Sequence, residues 1–116
     1  MKSIKSWAEE DRPREKMLAK GKEALSNAEL IAILIGSGNS KETAVDLSKR
    51  ILHDNKDNLI ELSRLTINDL MKYNGIGEAK AVTIAAALEL GRRRRFSEAL
   101  EKPSIKNSQI AYECFY

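Results

Sequence analysis

Apolar residues along the chain recur at helical spacing, in blocks set off by glycine, proline or capping residues. Pro13 suits the first position of a helix, with Glu15 in its first turn; that helix runs through Met17, Leu18 and Lys20 and stops at Gly21. Ser26-Asn27-Ala28-Glu29 is a capping box that launches a second helix through Leu30, Ile31, Ile33 and Leu34, ended by Gly36-Ser37-Gly38. Asn39 or Ser40 then caps a third, whose apolar face is Ala44, Val45, Leu47, Ser48, Ile51 and Leu52. Asp57-Asn58 starts a short connecting helix carrying Leu59, Ile60 and Leu62. Thr66, with Asp69 three residues on, caps a helix over 67–73. The last helix runs from Ala79 to about Arg94, with Ala81, Ile84, Ala85 and Leu88 buried and Lys80, Thr83 and Glu89 outward. The pattern predicts an all-α bundle of about five to six helices. Residues 1–12 read as an arm whose Trp7 covers an apolar edge or, more specifically, stacks on a base.

The chain is organised around Leu70 to Leu90, LMKYNGIGEAKAVTIAAALEL. Gly75-Ile76-Gly77, with Lys80 three residues on, resembles the turn of a helix-hairpin-helix (HhH) DNA-backbone-binding motif. Two glycines permit positive φ and leave no Cβ in the way of a close partner. The amides of the turn and of the next helix's first turn lack intrahelical acceptors. Together they make a small concavity for a phosphate oxygen at the positive end of a helix dipole. Lys80 adds a mobile charge there, and Ile76 plugs back between the two helices. A helical hairpin that merely needs glycine to turn also carries G-x-G; the wider set of Leu70, Ala81, Val82 and Ile84 favours the HhH pattern.

The same plan occurs twice. Gly36-Ser37-Gly38 corresponds to Gly75-Ile76-Gly77, and Ala44-Val45 with Leu47 to Ala81-Val82 with Ile84. That is the plan of a double HhH domain, two hairpins about a pseudo-two-fold axis. The first copy departs from it: Ser37 stands where the plug belongs, and its loop is two residues longer.

Composition narrows the choices. The 116 residues are 42% hydrophobic and 32% charged, enough for a modest core and not the composition of a disordered chain. Net charge +3 and a pI near 9.0 suit nucleic acid without selecting it. One cysteine, Cys114, excludes an internal disulfide framework, and with no spanning stretch or signal peptide the expectation is a cytoplasmic protein with no membrane partner. The single histidine, His53, has no ligand partners at metal spacing, so no metal, cofactor or small-molecule substrate is expected and no catalytic constellation stands out. Arg92 to Arg95 complement a helix C-terminus and also suit a polyanion.

Asp11 to Lys16, with Arg12-Pro13-Arg14-Glu15 as its most specific part, Gly21 through Leu30, Ile35 to Gly38, Asn74 to Ala81 and Ala87 to Arg93 resemble the amino-terminal region of the bacterial RadC-like proteins. The resemblance implies a helical region, residues 1–100 here, joined to a JAB/MPN-type domain similar to zinc-dependent isopeptidases. Residues 101–116, with Pro103 and a capped apolar segment from Ile105, then read as a linker and the start of that domain, without its metal ligands. It also implies a link to DNA repair, and the Arg12–Glu15 motif reads physically as a helix start with Arg14 and Glu15 free for inter-helix ion pairs. The leading expectation is sequence-nonspecific binding of duplex DNA through Gly75, Gly77 and Lys80, assisted by Arg92, Arg93, Arg94 and Arg95. Glu78 opposes it unless its carboxylate points away. The rival is an interaction module that docks the JAB/MPN-type domain or another protein; an enzyme in its own right is not expected.

Overall fold

The computed structural model of the chain describes residues 12–101. The expectations for an arm carrying Trp7, for Cys114 and for the segment after Pro103 lie outside those residues. The chain divides into two compact units, Met1–Ala85 and Ala86–Tyr116. The described residues form six α-helices and a 3₁₀ turn, with no strand, so the fold is all-α. In order these are α1 (Pro13–Lys20), the 3₁₀ turn Lys22–Ala24, α2 (Asn27–Ile35), α3 (Ala44–Asp54), α4 (Leu59–Ser63), α5 (Ile67–Met71) and α6 (Glu78–Glu101), which begins in the first unit and runs into the second.

Capping chemistry sets most boundaries. Pro13 opens α1, and Gly21, at φ 93°, closes it with its N–H on the Met17 carbonyl at 2.8 Å. Ser26 and Glu29 form a reciprocal capping box on α2, at 3.1 and 2.7 Å, and Gly36 ends that helix at φ 76°. Asn58 caps α4 through the Ile60 and Glu61 amides, and Thr66 with Asp69 boxes α5.

Three boundaries differ from the sequence expectation. α5 ends at Met71 and not at Tyr73, its C-cap being Lys72. α3 is capped by Thr43, whose hydroxyl accepts from the Asp46 amide at 3.1 Å, and not by Asn39 or Ser40. The Asn39 side chain is occupied closing its own turn: its Oδ1 accepts from the amides of Lys41 and Glu42 at 2.8 and 2.9 Å. α6 continues past Arg94 to Glu101. No proline intervenes before Pro103, and Arg94 pairs with Glu98 one turn on at 3.1 Å, a spacing that supports continued helix.

The core lies in the first unit. Leu25, then Ala28, Ile31, Ala32 and Ile35 of α2 and Leu47, Ile51 and Leu52 of α3 are buried, the pair α2–α3 being the most extensively packed, while Leu62, Leu70, Ile76, Ala81 and Ile84 are buried from the later elements. Leu47, Ile51, Leu62, Leu70 and Ile84 are the largest side chains wholly withdrawn from water, each contributing about 1.5–3 kcal/mol of transfer free energy. Leu47 and Ile84, matched by the internal repeat, both have no exposed surface. Ser48, also fully buried, has a hydroxyl without a hydrogen-bond partner.

Candidate nucleic-acid interface

α5 gives way to α6 through a tight turn. Gly75 sits at φ 102°, which favours glycine, and the buried Ile76 donates its N–H to the Tyr73 carbonyl at 3.0 Å. Ile76 is thus turned into the interior, as expected of a residue between two turn glycines. The first α6 bond runs from the Ala81 amide to the Gly77 carbonyl at 3.0 Å, which makes Gly77 the N-cap. Gly77 has no positive φ, so its use lies in lacking a side chain, and a Cβ there would face open space. Helices α2 to α5 are each capped by a side chain, but at α6 nothing among the described residues accepts from the amides of Glu78, Ala79 or Lys80. Gly77, Glu78 and Ala79 are exposed.

Lys80 does not point outward as a mobile charge. It is half-buried, and its Nζ donates to the carbonyl and the hydroxyl of Ser37, both at 3.0 Å. Its charge is thus fixed at the start of α6 by the loop between α2 and α3. Gly75 meets the same loop: a Cβ there would stand 3.1 Å from Asn39 Cβ and 3.3 Å from the Gly38 carbonyl oxygen. Asn39 Nδ2 completes the junction by donating to the Asn74 carbonyl at 2.8 Å.

A string of polar contacts backs the junction. Arg50 grips Glu42 with two bonds of 2.8 and 2.9 Å, and together with Asn39 it holds that carboxyl down at about 2. The Arg50 guanidinium lies 5.3 Å from the centre of the Tyr73 ring. The Tyr73 hydroxyl donates to Asp54 at 2.8 Å, and burial, then Asp54, pushes it up to about 12. Sequence reasoning missed Ser37, Glu42, Arg50 and Tyr73. Asn39 alone carried a signal, as a residue that closes turns with its own side chain.

The arginine run, in the second unit, is exposed but not free. Glu89 binds both Arg92 and Arg93, at 2.9 and 2.8 Å, and those bonds, Arg92 first, hold its carboxyl at about 2. With Arg94 on Glu98, the segment sets four arginines against two carboxylates and remains positive. The basic start of the chain is likewise partly neutralised. The inter-helix ion pair of α1 is Lys16 with Glu29 at 3.0 Å, not one from Arg14 or Glu15; Glu15 pairs with Arg12 on its own helix at 3.8 Å. The Ser26 amide, more than Lys16, lowers Glu29.

No group of His, Cys, Asp and Glu among the described residues is arranged to hold a metal ion. No helix among them is long and apolar enough to cross a membrane. Glu78 is exposed at the first turn of α6, beside the uncapped amides.

Residues 4–82 match the family described as UPF0758 N-terminal. A UPF0758 protein of Flavobacterium johnsoniae is 56% identical over 110 residues, covering 95% of this chain and 48% of that protein. One of Porphyromonas gingivalis is 46% identical over 111 residues, covering 95% and 49%, and one of Alkaliphilus oremlandii 42% identical over 104 residues, covering 90% and 45%. The chain thus spans about half the length of the curated relatives it matches. No solved structure matches it.

Proposed function

This chain belongs to the UPF0758 N-terminal family, the RadC-like family its motifs resemble, and from that premise we propose that it is a sequence-nonspecific DNA-backbone-binding domain of helix-hairpin-helix type. The observation that carries the proposal is the uncapped, exposed N-terminus of α6, whose first turn carries Lys80, anchored on Ser37. A phosphodiester oxygen is the ligand such a site suits: singly charged, small, and satisfied by amides aligned with a helix dipole. Two of the three Lys80 donors are taken by Ser37, which leaves one for the phosphate. The arginines of the second unit add positive field without reading bases. Glu78 restrains affinity, and its exposure leaves it free to turn into solvent.

A second reading has its own observation. Leu90, Phe96 and Leu100 are exposed on the distal part of α6, and the relatives extend well beyond the matched segment. That part of α6 would then dock the remainder of the full-length protein, which by resemblance is a JAB/MPN-type domain and the seat of any chemistry.

Fluorescence anisotropy with labelled random-sequence duplex and single-stranded DNA across a salt series tests the first reading. It predicts binding that weakens with salt by about 0.9 in log–log slope for each duplex phosphate engaged. Absence of binding at low salt defeats it and leaves the docking reading.

A further inference from the structure

We infer that the loop between α2 and α3 is not a second phosphate site but a bracket that positions the Gly75–Gly77 turn, with Asn39 as the positioning residue. Its consequence for DNA affinity rests on the proposed function; its structural content does not.

The two inter-helix turns share the G-x-G pattern and differ in length. Residues 36–43 join α2 to α3, whereas residues 72–77, two fewer, join α5 to α6. The longer loop consumes its own amides. Asn39 N–H donates to the Glu42 carbonyl at 2.9 Å, those of Lys41 and Glu42 to Asn39 Oδ1, and that of Asp46 to the Thr43 hydroxyl. α3 therefore offers an anion far less than the uncapped start of α6 does. Ser37, in the plug position, is exposed and turns both of its oxygens to Lys80.

The groups this loop does present face the second turn. Asn39 spends its acceptor on its own turn and divides its donors, one within the loop on Glu42 Oε1 at 3.0 Å and one outside it on the Asn74 carbonyl at 2.8 Å. A side-chain amide offers both roles at one planar end, and glutamine would place that end one carbon farther out. Glu42 is held by Arg50, Arg50 lies over Tyr73, and Tyr73 bonds to Asp54, so the circuit returns through α3 to the residue that precedes Asn74. On the other side of the turn, Lys80 fastens α6 to Ser37. The Gly75–Gly77 turn is thus held on both flanks by the first loop. A direct contact of both loops with phosphates would leave these bonds without purpose.

Amide hydrogen exchange followed by NMR, well below the melting temperature, tests the bracket in Asn39→Asp. That variant keeps the acceptor for Lys41 and Glu42 but loses the donors to Asn74 and to Glu42 Oε1, and sets a second carboxylate beside Glu42. The readouts are the Ile76 and Ala81 amides, whose bonds to Tyr73 and Gly77 define the turn, against the Leu30 amide of α2. The expected result is protection lost by about tenfold or more at Ile76 and Ala81 and unchanged at Leu30. Tyr73→Phe, which cuts only the Asp54 arm, gives a smaller loss at the same amides and keeps the test open should Asn39→Asp fail to fold. Unchanged protection at Ile76 and Ala81, or an equal loss at all three amides, overturns the bracket. In the same samples, Tyr73→Phe, which changes no charge at neutral pH, lowers DNA affinity without altering the salt slope; full affinity despite a loosened turn overturns the positioning role. If the unaltered chain binds no DNA, the DNA reading fails and the exchange pattern still decides the bracket.

Discussion

Replacing Gly38 by alanine asks the first loop to admit one carbon atom where backbone already stands. A Cβ at that position would overlap the Glu42 carbonyl oxygen and lie 2.5 and 2.7 Å from the Thr43 carbonyl carbon and oxygen. These neighbours cannot rotate aside as a flexible side chain would. The peptide between Glu42 and Thr43 must move, and its oxygen is the acceptor for the Asn39 amide. Overpacking of this kind costs about 1–3 kcal/mol, and the lost hydrogen bond about 1 kcal/mol more. The expected destabilisation is roughly 2–4 kcal/mol, a large part of the 5–15 kcal/mol typical of a domain. For a domain of this size that lowers the melting midpoint by roughly 10–30 °C. Gly77→Ala is the matched control, since a Cβ there meets nothing; its effect, that of alanine at an N-cap, should be about 1 kcal/mol. Urea denaturation followed by circular dichroism reads both. A Gly38→Ala loss no larger than that of Gly77→Ala would refute the account of the loop as closed, obligatory backbone.

Ser48→Ala should stabilise the chain by about 1 kcal/mol, read in the same denaturation assay, because it removes a buried hydroxyl that has no partner. Acid should weaken the junction between the two turns. Glu42 has a folded value near 2 against an ordinary 4.5, so its contribution is whole above about 4.5 and is lost as pH falls to and through about 2. Denaturation midpoints across that window should fall, and Glu42→Gln should flatten the fall; an equally steep acid limb in the variant would contradict the assignment.

Much of the architecture is legible in the residues because it rests on local chemistry. Ser26 with Glu29, Thr66 with Asp69, Pro13 and Gly21 each fix a helix end through atoms a few positions away. The apolar faces around Leu47 and Ile84 follow from the helical repeat. The junction is not legible, because its partners lie far apart in the chain: Lys80 meets Ser37 across 43 positions, and Asn39 meets Asn74 across 35. From spacing alone, Lys80 next to a glycine turn reads as a free charge; only the folded loop shows where that charge is spent. Thr43 escaped notice as a cap because Asn39 and Ser40 precede it with equally good capping chemistry, and the two extra residues of the loop decide between them. The arginine run is plain in sequence, and the Glu89 pairs lie within the helix expected to Arg94; the Arg94–Glu98 pair exists because α6 continues to Glu101.

A phosphate at the uncapped start of α6, as proposed, would be displaced by Gly77→Asp. Aspartate is among the preferred N-cap residues, and the open space at Gly77 admits it, so its carboxylate would take the amides offered to the phosphate. DNA anisotropy and thermal melting, run together on the unaltered chain and the variant, are predicted to diverge. The melting temperature holds or rises slightly while salt-sensitive DNA binding drops at least tenfold. A variant that is equally stable and binds DNA as tightly as the unaltered chain would contradict the claim.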